Sequence, residues 1–167
     1  MYILETERLL LREFVVDDAE NHYLLNLDDE VIRYTGDVSF QSVPHARSFL
    51  EKYDHYEKYG FGRWAVITKR DQEFIGWCGL KYIPVKGEHD IGYRFFKKYW
   101  GKGYATESAK SCLDLGFSRF GLNKIVGRVM SANIPSVKVL EKIGLRFESD
   151  FDFDGQAGKL YSISKNT

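Results

Sequence analysis

Two segments of the chain carry residue types at spacings from which chemistry can be built. The first is Tyr99-Trp100-Gly101-Lys102-Gly103-Tyr104-Ala105-Thr106-Glu107, which joins a predicted strand to a strongly amphipathic predicted helix. Without Cβ atoms, Gly101 and Gly103 can take positive φ and let an anion approach the main chain. The first N–H groups of the following helix point outward without intrahelical acceptors, so a diphosphate suits this loop. Neither common nucleotide motif is met. Thr106 is a poor third small residue for a dinucleotide fingerprint, and Lys102 is followed by Gly103 and Tyr104 where a triphosphate loop has Ser or Thr.

The second segment runs from Ser131 to Phe147 and includes Asn133-Ile134-Pro135-Ser136 and Glu141-Lys142-Ile143-Gly144. Asn133 stands where a helix cap or a turn residue belongs. Ser136 shares a helical face with Val139, Leu140 and Ile143, which sets a hydroxyl on an apolar stripe, where it needs a partner. A carbonyl of its own helix is one candidate. A bound group facing the stripe is the other.

Together the two segments resemble the GNAT superfamily of N-acetyltransferases. The likeness is closer to the branch of ribosomal-protein N-terminal acetyltransferases, whose members read Trp-Gly-x-Gly-Tyr-Ala-Thr-Glu and later Asn-x-x-Ser followed by Glu-Lys-x-Gly-Phe. It extends to Glu5-Thr6-Glu7-Arg8-Leu9-Leu10-Leu11-Arg12, to Ile75-Gly76 and to Ile91-Gly92-Tyr93, and so covers most of the chain. The resemblance implies a single N-acetyltransferase domain over residues 1–167, acetyl-CoA as cofactor and an amine as acceptor.

Residue by residue, the resemblance implies that the cofactor diphosphate sits on the main-chain N–H groups of Gly101, Lys102, Gly103, Tyr104, Ala105 and Thr106, just after Trp100. Lys98 or Lys102 would add a point charge. Lys98 stands where the family often has Gln or Arg, and it keeps charge without the planar fork of arginine. The pantetheine arm would run beside Tyr93, Arg94, Phe95 and Phe96 and pair with their main chain as an added strand does. Asn133 would lie against that arm. Ser136 would protonate the departing thiolate, because Leu140 occupies the position where many members carry a tyrosine; Tyr104 or a water is the alternative donor.

The expected base is Asp90, directly before Ile91-Gly92-Tyr93, with Glu88 as the other carboxylate nearby. A lysine ε-amine lies about 3.4 units above neutral and costs about 4.6 kcal/mol to deprotonate, whereas an α-amine lies within roughly one unit, so a weak base suffices for it. Glu107, in the first turn of the helix, is assigned a structural role with the helix dipole. The acceptor would be chosen by residues 25–56 and 150–161, where Tyr34, Phe40 and Phe151 with Asp37 and Asp152 suit a peptide N-terminus or a small-molecule amine. Dimers are common in the family, so a monomer or a homodimer is expected.

Composition agrees. The 167 residues are 44% hydrophobic and 16% aromatic, enough for one substantial core. Lys plus Arg equals Asp plus Glu at 24 each, so no excess charge calls for nucleic acid or a membrane surface. Cys78 and Cys112 sit in apolar runs and are expected as buried thiols. The start lacks the features of a signal peptide, and no run approaches the roughly 18 apolar residues of a membrane span, so a cytoplasmic location is expected. His22, His45, His55 and His89 lack metal-ligand spacing, and no catalytic metal is expected.

Two other functions are weighed. One is a sensor that binds CoA without turnover. The other is a calcium-binding module, since Asp150-Phe151-Asp152-Phe153-Asp154-Gly155 matches the first six positions of an EF-hand loop; Tyr161 at the twelfth position argues against it, and an acidic hairpin tip is preferred.

These residues must be held by elements read from periodicity. Residues 8–14 form a strand, and Asp17 and Asp18 cap a helix to about Leu25. A helix begins at Pro44, shows Ala46, Phe49, Leu50 and Tyr53 on one face, and ends near Tyr59-Gly60. Residues 63–68 and 74–82 form an antiparallel hairpin, and residues 89–96 a third strand. The main helix carries Ala105, Ala109, Cys112, Leu113, Gly116, Phe117 and Phe120. Residues 124–130 are a strand, 135–143 a helix, and 145–150 with 159–164 a hairpin. The order β, α, α, β, β, β, α, β, α, β, β is that of one α/β domain with a mixed sheet and helices on both faces; the resemblance implies the same architecture, a GNAT-like fold whose central sheet is mostly antiparallel.

Overall fold

The computed structural model describes residues 2–166. Eight strands form one sheet: β1 (Tyr2–Glu5), β2 (Leu9–Arg12), β3 (Arg63–Thr68), β4 (Phe74–Ile83), β5 (Glu88–Phe95), β6 (Lys124–Met130), β7 (Arg146–Phe153) and β8 (Gln156–Ser164). Six helices join them: α1 (Ala19–Leu27), α2 (Asp29–Ile32), α3 (Val43–Glu51), α4 (His55–Tyr59), α5 (Tyr104–Ser118) and α6 (Ile134–Lys142). The spatial order is β1-β2-β3-β4-β5-β6-β8-β7. Every neighbouring pair is antiparallel except β5 and β6.

That exception shapes the molecule. β4 and β5 stay in register from Gly76↔Phe95 to Ile83↔Glu88, and β6 and β8 from Lys124↔Ser164 to Met130↔Gly158. β5 and β6 meet at one registered pair, Asp90↔Val126, and beyond it they diverge. The sheet is therefore two arms, β1–β5 and β6–β8, joined at a point, and β5 past Asp90 has one edge without a partner strand.

Side chains of a strand alternate between faces. On one face, Trp64, Cys78, Leu80, Ile91 and Phe95 pack under α5, whose Ala109, Cys112 and Leu113 are buried. On the other face β4 and β5 present Trp77 and Arg94, which meet α1 and the segment after α2. A fully buried Leu or Ile of the first layer is worth about 1.5–3 kcal/mol, well above the 0–1 kcal/mol of an exposed ion pair. Apolar packing thus holds the arms, and charged groups set geometry.

The structure corrects several expectations. β1 is an additional strand, and the first predicted strand is confined to Leu9–Arg12. The single helix expected from Pro44 to Tyr59 is two, broken at residues 52–54, with Gly60 closing the second at φ 82°. Asp18 makes no side-chain cap. It is buried and takes two hydrogen bonds from Arg12, at 2.8 and 2.9 Å, and one from the Val15 N–H at 2.9 Å, because a buried carboxylate needs a counter-charge more than a helix needs a cap. The segment likened to an EF-hand loop is the end of β7 and the turn at Asp154-Gly155, with strands on both sides where an EF-hand has helices. Among the described residues no helix is long and apolar enough to cross a membrane.

Cys78 on β4 and Cys112 on α5 are free, buried thiols with sulfurs 3.8 Å apart, and burial pushes Cys112 well above the usual thiol range. The folded protein is therefore expected to resist Ellman's reagent at pH 8 and to release both equivalents only in denaturant; rapid reaction without denaturant would contradict this packing.

Candidate active site

The divergence of β5 from β6 opens a cavity of about 720 Å³. Its wall includes Asp90, Gly92, Tyr93 and Arg94 from β5, Arg128 and Val129 from β6, and Asn133, Ser136 and Leu140 at α6. α6 starts there because Asn133 caps it, its carbonyl oxygen accepting from the Ser136 N–H at 3.4 Å, with Pro135 in the first turn.

The Ser136 hydroxyl bonds to another hydroxyl and not to a carbonyl of its own helix. Its hydroxyl lies 2.9 Å from the Tyr93 hydroxyl, which is also 3.1 Å from the Ser136 carbonyl oxygen. Tyr93 has one proton. Donated to that carbonyl, it leaves the phenol oxygen to accept from Ser136 Oγ. The pair bridges the gap between β5 and α6, and burial raises the Tyr93 pKa further than the contact with Ser136 lowers it.

Asp90 faces the opposite side of β5 and is held by Arg63. The guanidinium bonds Asp90 Oδ2 at 2.7 Å, the Asp90 carbonyl at 2.9 Å and the Gly79 carbonyl at 2.7 Å. Both side chains are 14% exposed. Gly92 makes this possible, since a Cβ there would lie 2.6 Å from the guanidinium. Arg94, 9% exposed, bonds Asp37 at 2.6 Å and Asn26 at 2.9 Å. Arg128 takes both oxygens of Glu88, at 3.0 and 2.7 Å. Two of these cations lie against Trp77, the Arg63 and Arg94 guanidinium carbons being 5.3 and 5.2 Å from its ring centroid. His22 stays neutral, its pKa lowered to about 4 chiefly by burial; His55, also lowered to about 4 by burial and then by Arg63, accepts from the Tyr82 N–H at 2.9 Å.

At the end of β5 the chain passes through a short 3-10 turn at Lys97–Tyr99 into the glycine loop. Trp100, itself 46% exposed, donates its indole N–H to the Phe95 carbonyl at 2.9 Å and so anchors the loop to the strand. Gly101 and Gly103 take φ of 72° and 82°. The first bond of the α5 ladder runs from the Glu107 N–H to the Gly103 carbonyl at 3.0 Å, so the N–H groups of Tyr104, Ala105 and Thr106 precede it and stand free for an anion. Lys98 lies over the Tyr99 ring at 5.1 Å, and Lys102 is exposed on the loop.

Glu107 does more than face the helix dipole. It accepts from the Thr6 hydroxyl at 2.6 Å, the Arg8 N–H at 2.9 Å and Arg8 Nε at 2.7 Å. Arg8 is thereby held 4.3 Å over the Tyr104 ring, with a terminal nitrogen 3.4 Å from where a Cβ of Gly103 would be. Desolvation pushes the Glu107 pKa up, but the bonds from Thr6 and Arg8 outweigh it and the net shift is downward.

The structure brings Asp90, Tyr93, Arg94, Asn133 and Ser136 to one cavity and places Trp100 to Thr106 at the far end of β5. Phe95 is core, Phe96 packs edge-on to Phe74, and the Arg94 side chain is committed to Asp37. Of the acceptor residues, Tyr34, Phe40 and Asp37 line the cavity; Phe151 faces Arg128 at 5.7 Å, and Asp152 accepts from the Gly155 N–H at 3.1 Å within the hairpin turn. Arg8, Arg63, Trp77 and Lys81 carry no motif of their own in the sequence. Arg8 alone had a signal there, its place in the family-like opening segment.

Replacing Glu107 by Gln is expected to lower stability by on the order of 1–2 kcal/mol at pH 7. The wild-type carboxylate, with its folded pKa depressed, contributes above the ordinary value of 4.5 and loses that contribution as pH falls below it. Urea titrations of both proteins should therefore converge in acid; a difference unchanged down to pH 3 would refute the ionic latch.

Comparison with known proteins places the chain in a family. A family model for the acetyltransferase (GNAT) domain matches residues 8–146. The chain is 32% identical to uncharacterized N-acetyltransferase p20 of Bacillus licheniformis, over 98% of this chain and 93% of that one. A GNAT-family acetyltransferase from Bacillus anthracis superposes with TM-score 0.84 at 29% identity, covering 98% of each chain. A ribosomal-protein-S5-alanine acetyltransferase from Vibrio fischeri shares the fold, with TM-score 0.80 at 21% identity over 96% of this chain and 95% of that one. The chain belongs to the GNAT family of acetyltransferases.

Proposed function

We propose that the protein moves the acetyl group of acetyl-CoA directly to a primary amine within a ternary complex. The observation that carries this reading is the Tyr93–Ser136 hydroxyl pair at the unpartnered edge of β5, in the same cavity as Asp90. The residues present fit the cofactor. The free N–H groups of Tyr104 to Thr106 and the positive φ of Gly101 and Gly103 suit its diphosphate, and the open edge from Ile91 to Phe95 suits an extended amide-bearing arm. When bound, acetyl-CoA supplies an activated acyl group and a thiol leaving group.

The chain's own residues do the rest. Asp90 keeps one oxygen on Arg63, and Oδ1, with no partner among the described residues, is left to receive the proton of the incoming amine, directly or through a water. Arg63 fixes that carboxylate against the β4–β5 seam, so its position does not depend on a flexible loop. The Ser136 hydroxyl, turned from the Tyr93 oxygen toward the leaving thiolate, would give up its proton while Tyr93 hands its own to Ser136 Oγ. Asn133 keeps its amide group at the mouth of the gap while its carbonyl caps α6. Lys98, Lys102 and Arg8 surround the loop with positive charge. A CoA-binding sensor without turnover would need none of the Asp90 and Ser136 arrangement.

Calorimetry with CoA and thiol release from acetyl-CoA over a panel of amines test the reading. Asp90→Asn is expected to lower kcat/KM by at least about 10²-fold, and Ser136→Ala to lower kcat by about 10-fold or more, each with CoA affinity within a few-fold of wild type. Binding of CoA with full activity in both variants would remove the two assignments, and absence of CoA binding would remove the function.

A further inference from the structure

We infer that the acceptor is an amine carrying a carboxylate on the adjacent carbon and an apolar body, the class of free aromatic α-amino acids. This rests on the acetyl-transfer reading above and deepens it. The carboxylates at the wall are already compensated: Asp90 by Arg63 at 2.7 Å, Asp37 by Arg94 at 2.6 Å, and Glu88, behind the wall, by Arg128 through both oxygens. None is left to hold a second ammonium group, which a polyamine would bring. The face of Trp77 is likewise occupied by two guanidinium groups, so it offers no free site for a substrate cation.

What the wall does leave over is positive. Among the described residues lining the cavity, Lys81 is the cation without a carboxylate partner, and it is exposed. Its place matters. Lys81 on β4 is the registered neighbour of Asp90 on β5, so both side chains rise from the same face of the sheet. Directly opposed residues of an antiparallel pair have Cβ atoms roughly 5 Å apart. An ammonium or amine at Asp90 and a carboxylate at Lys81 thus match two groups borne on a single carbon. The remaining wall is aromatic, with Phe14, Phe40, Phe49 and Tyr53 beside the neutral His22, and this suits an apolar side chain.

The test compares L-phenylalanine, L-phenylalaninamide, phenethylamine and spermidine as acceptors with saturating acetyl-CoA, with kcat/KM corrected to the free-amine fraction at each pH. L-phenylalanine is expected to exceed each of the other three by about 10-fold or more. Lys81→Gln is expected to erase the advantage over the amide while CoA affinity stays unchanged. Equal or better use of the amide, phenethylamine or spermidine would overturn the inference, as would an advantage that survives Lys81→Gln, or CoA binding with none of the four acetylated. Loss of CoA binding in the wild type would instead overturn the acetyl-transfer reading itself.

Discussion

The molecule depends on a sheet that fails to close. An unbroken ladder between β5 and β6 would satisfy both edges with each other and leave a flat surface. One registered pair, Asp90↔Val126, holds the arms together, and the candidate site opens from it. The exposed edge of β5 leads directly into the glycine loop, so a guest lying along the edge meets free helix N–H groups at one end and the Tyr93–Ser136 pair at the other. α5 makes this open arrangement tolerable, because its apolar stripe packs across β4 and β5 and gives the near arm a core of its own.

Charge is arranged around that gap in matched pairs. Arg63, Arg94 and Arg128 each reach a carboxylate from a different part of the chain, and each pair is partly withdrawn from water. Such pairs add little net stability, since desolvation offsets their attraction, but breaking one leaves a costly lone charge. Their value lies in position. Arg63 ties β3, β4 and β5 at one spot by bonding two main-chain carbonyls as well as Asp90, which makes the carboxylate as rigid as the sheet. The Glu107 latch works in the same way at the loop, fastening β1–β2 to the start of α5.

Local features were legible in the sequence, and distant pairings were not. The glycine loop, α5, α6 and the hairpin β3–β4 follow from turn residues and periodicity that lie within a dozen positions of one another. β1 has four residues with no buried side chain among them, so it presents no pattern to read. The break between α3 and α4 carries no glycine or proline. Asp90 stands out by its place before Ile91-Gly92-Tyr93, yet that Arg63 holds it, 27 positions away, is a fact of tertiary structure. Nothing in the sequence around Asp37 announces Arg94, 57 positions on. Ser136 was rightly seen to need a partner, but a hydroxyl on another strand could not be named from helix geometry.

β8 lies between β6 and β7 although it follows both in the chain. During synthesis β6 therefore emerges with no long ladder on either side, since β5 meets it at one residue and β7 does not touch it. The far wall of the gap takes shape only when β8 slides between them, which makes the candidate cleft one of the last parts of the nascent protein to mature. Partly made chains would expose an unpaired β6.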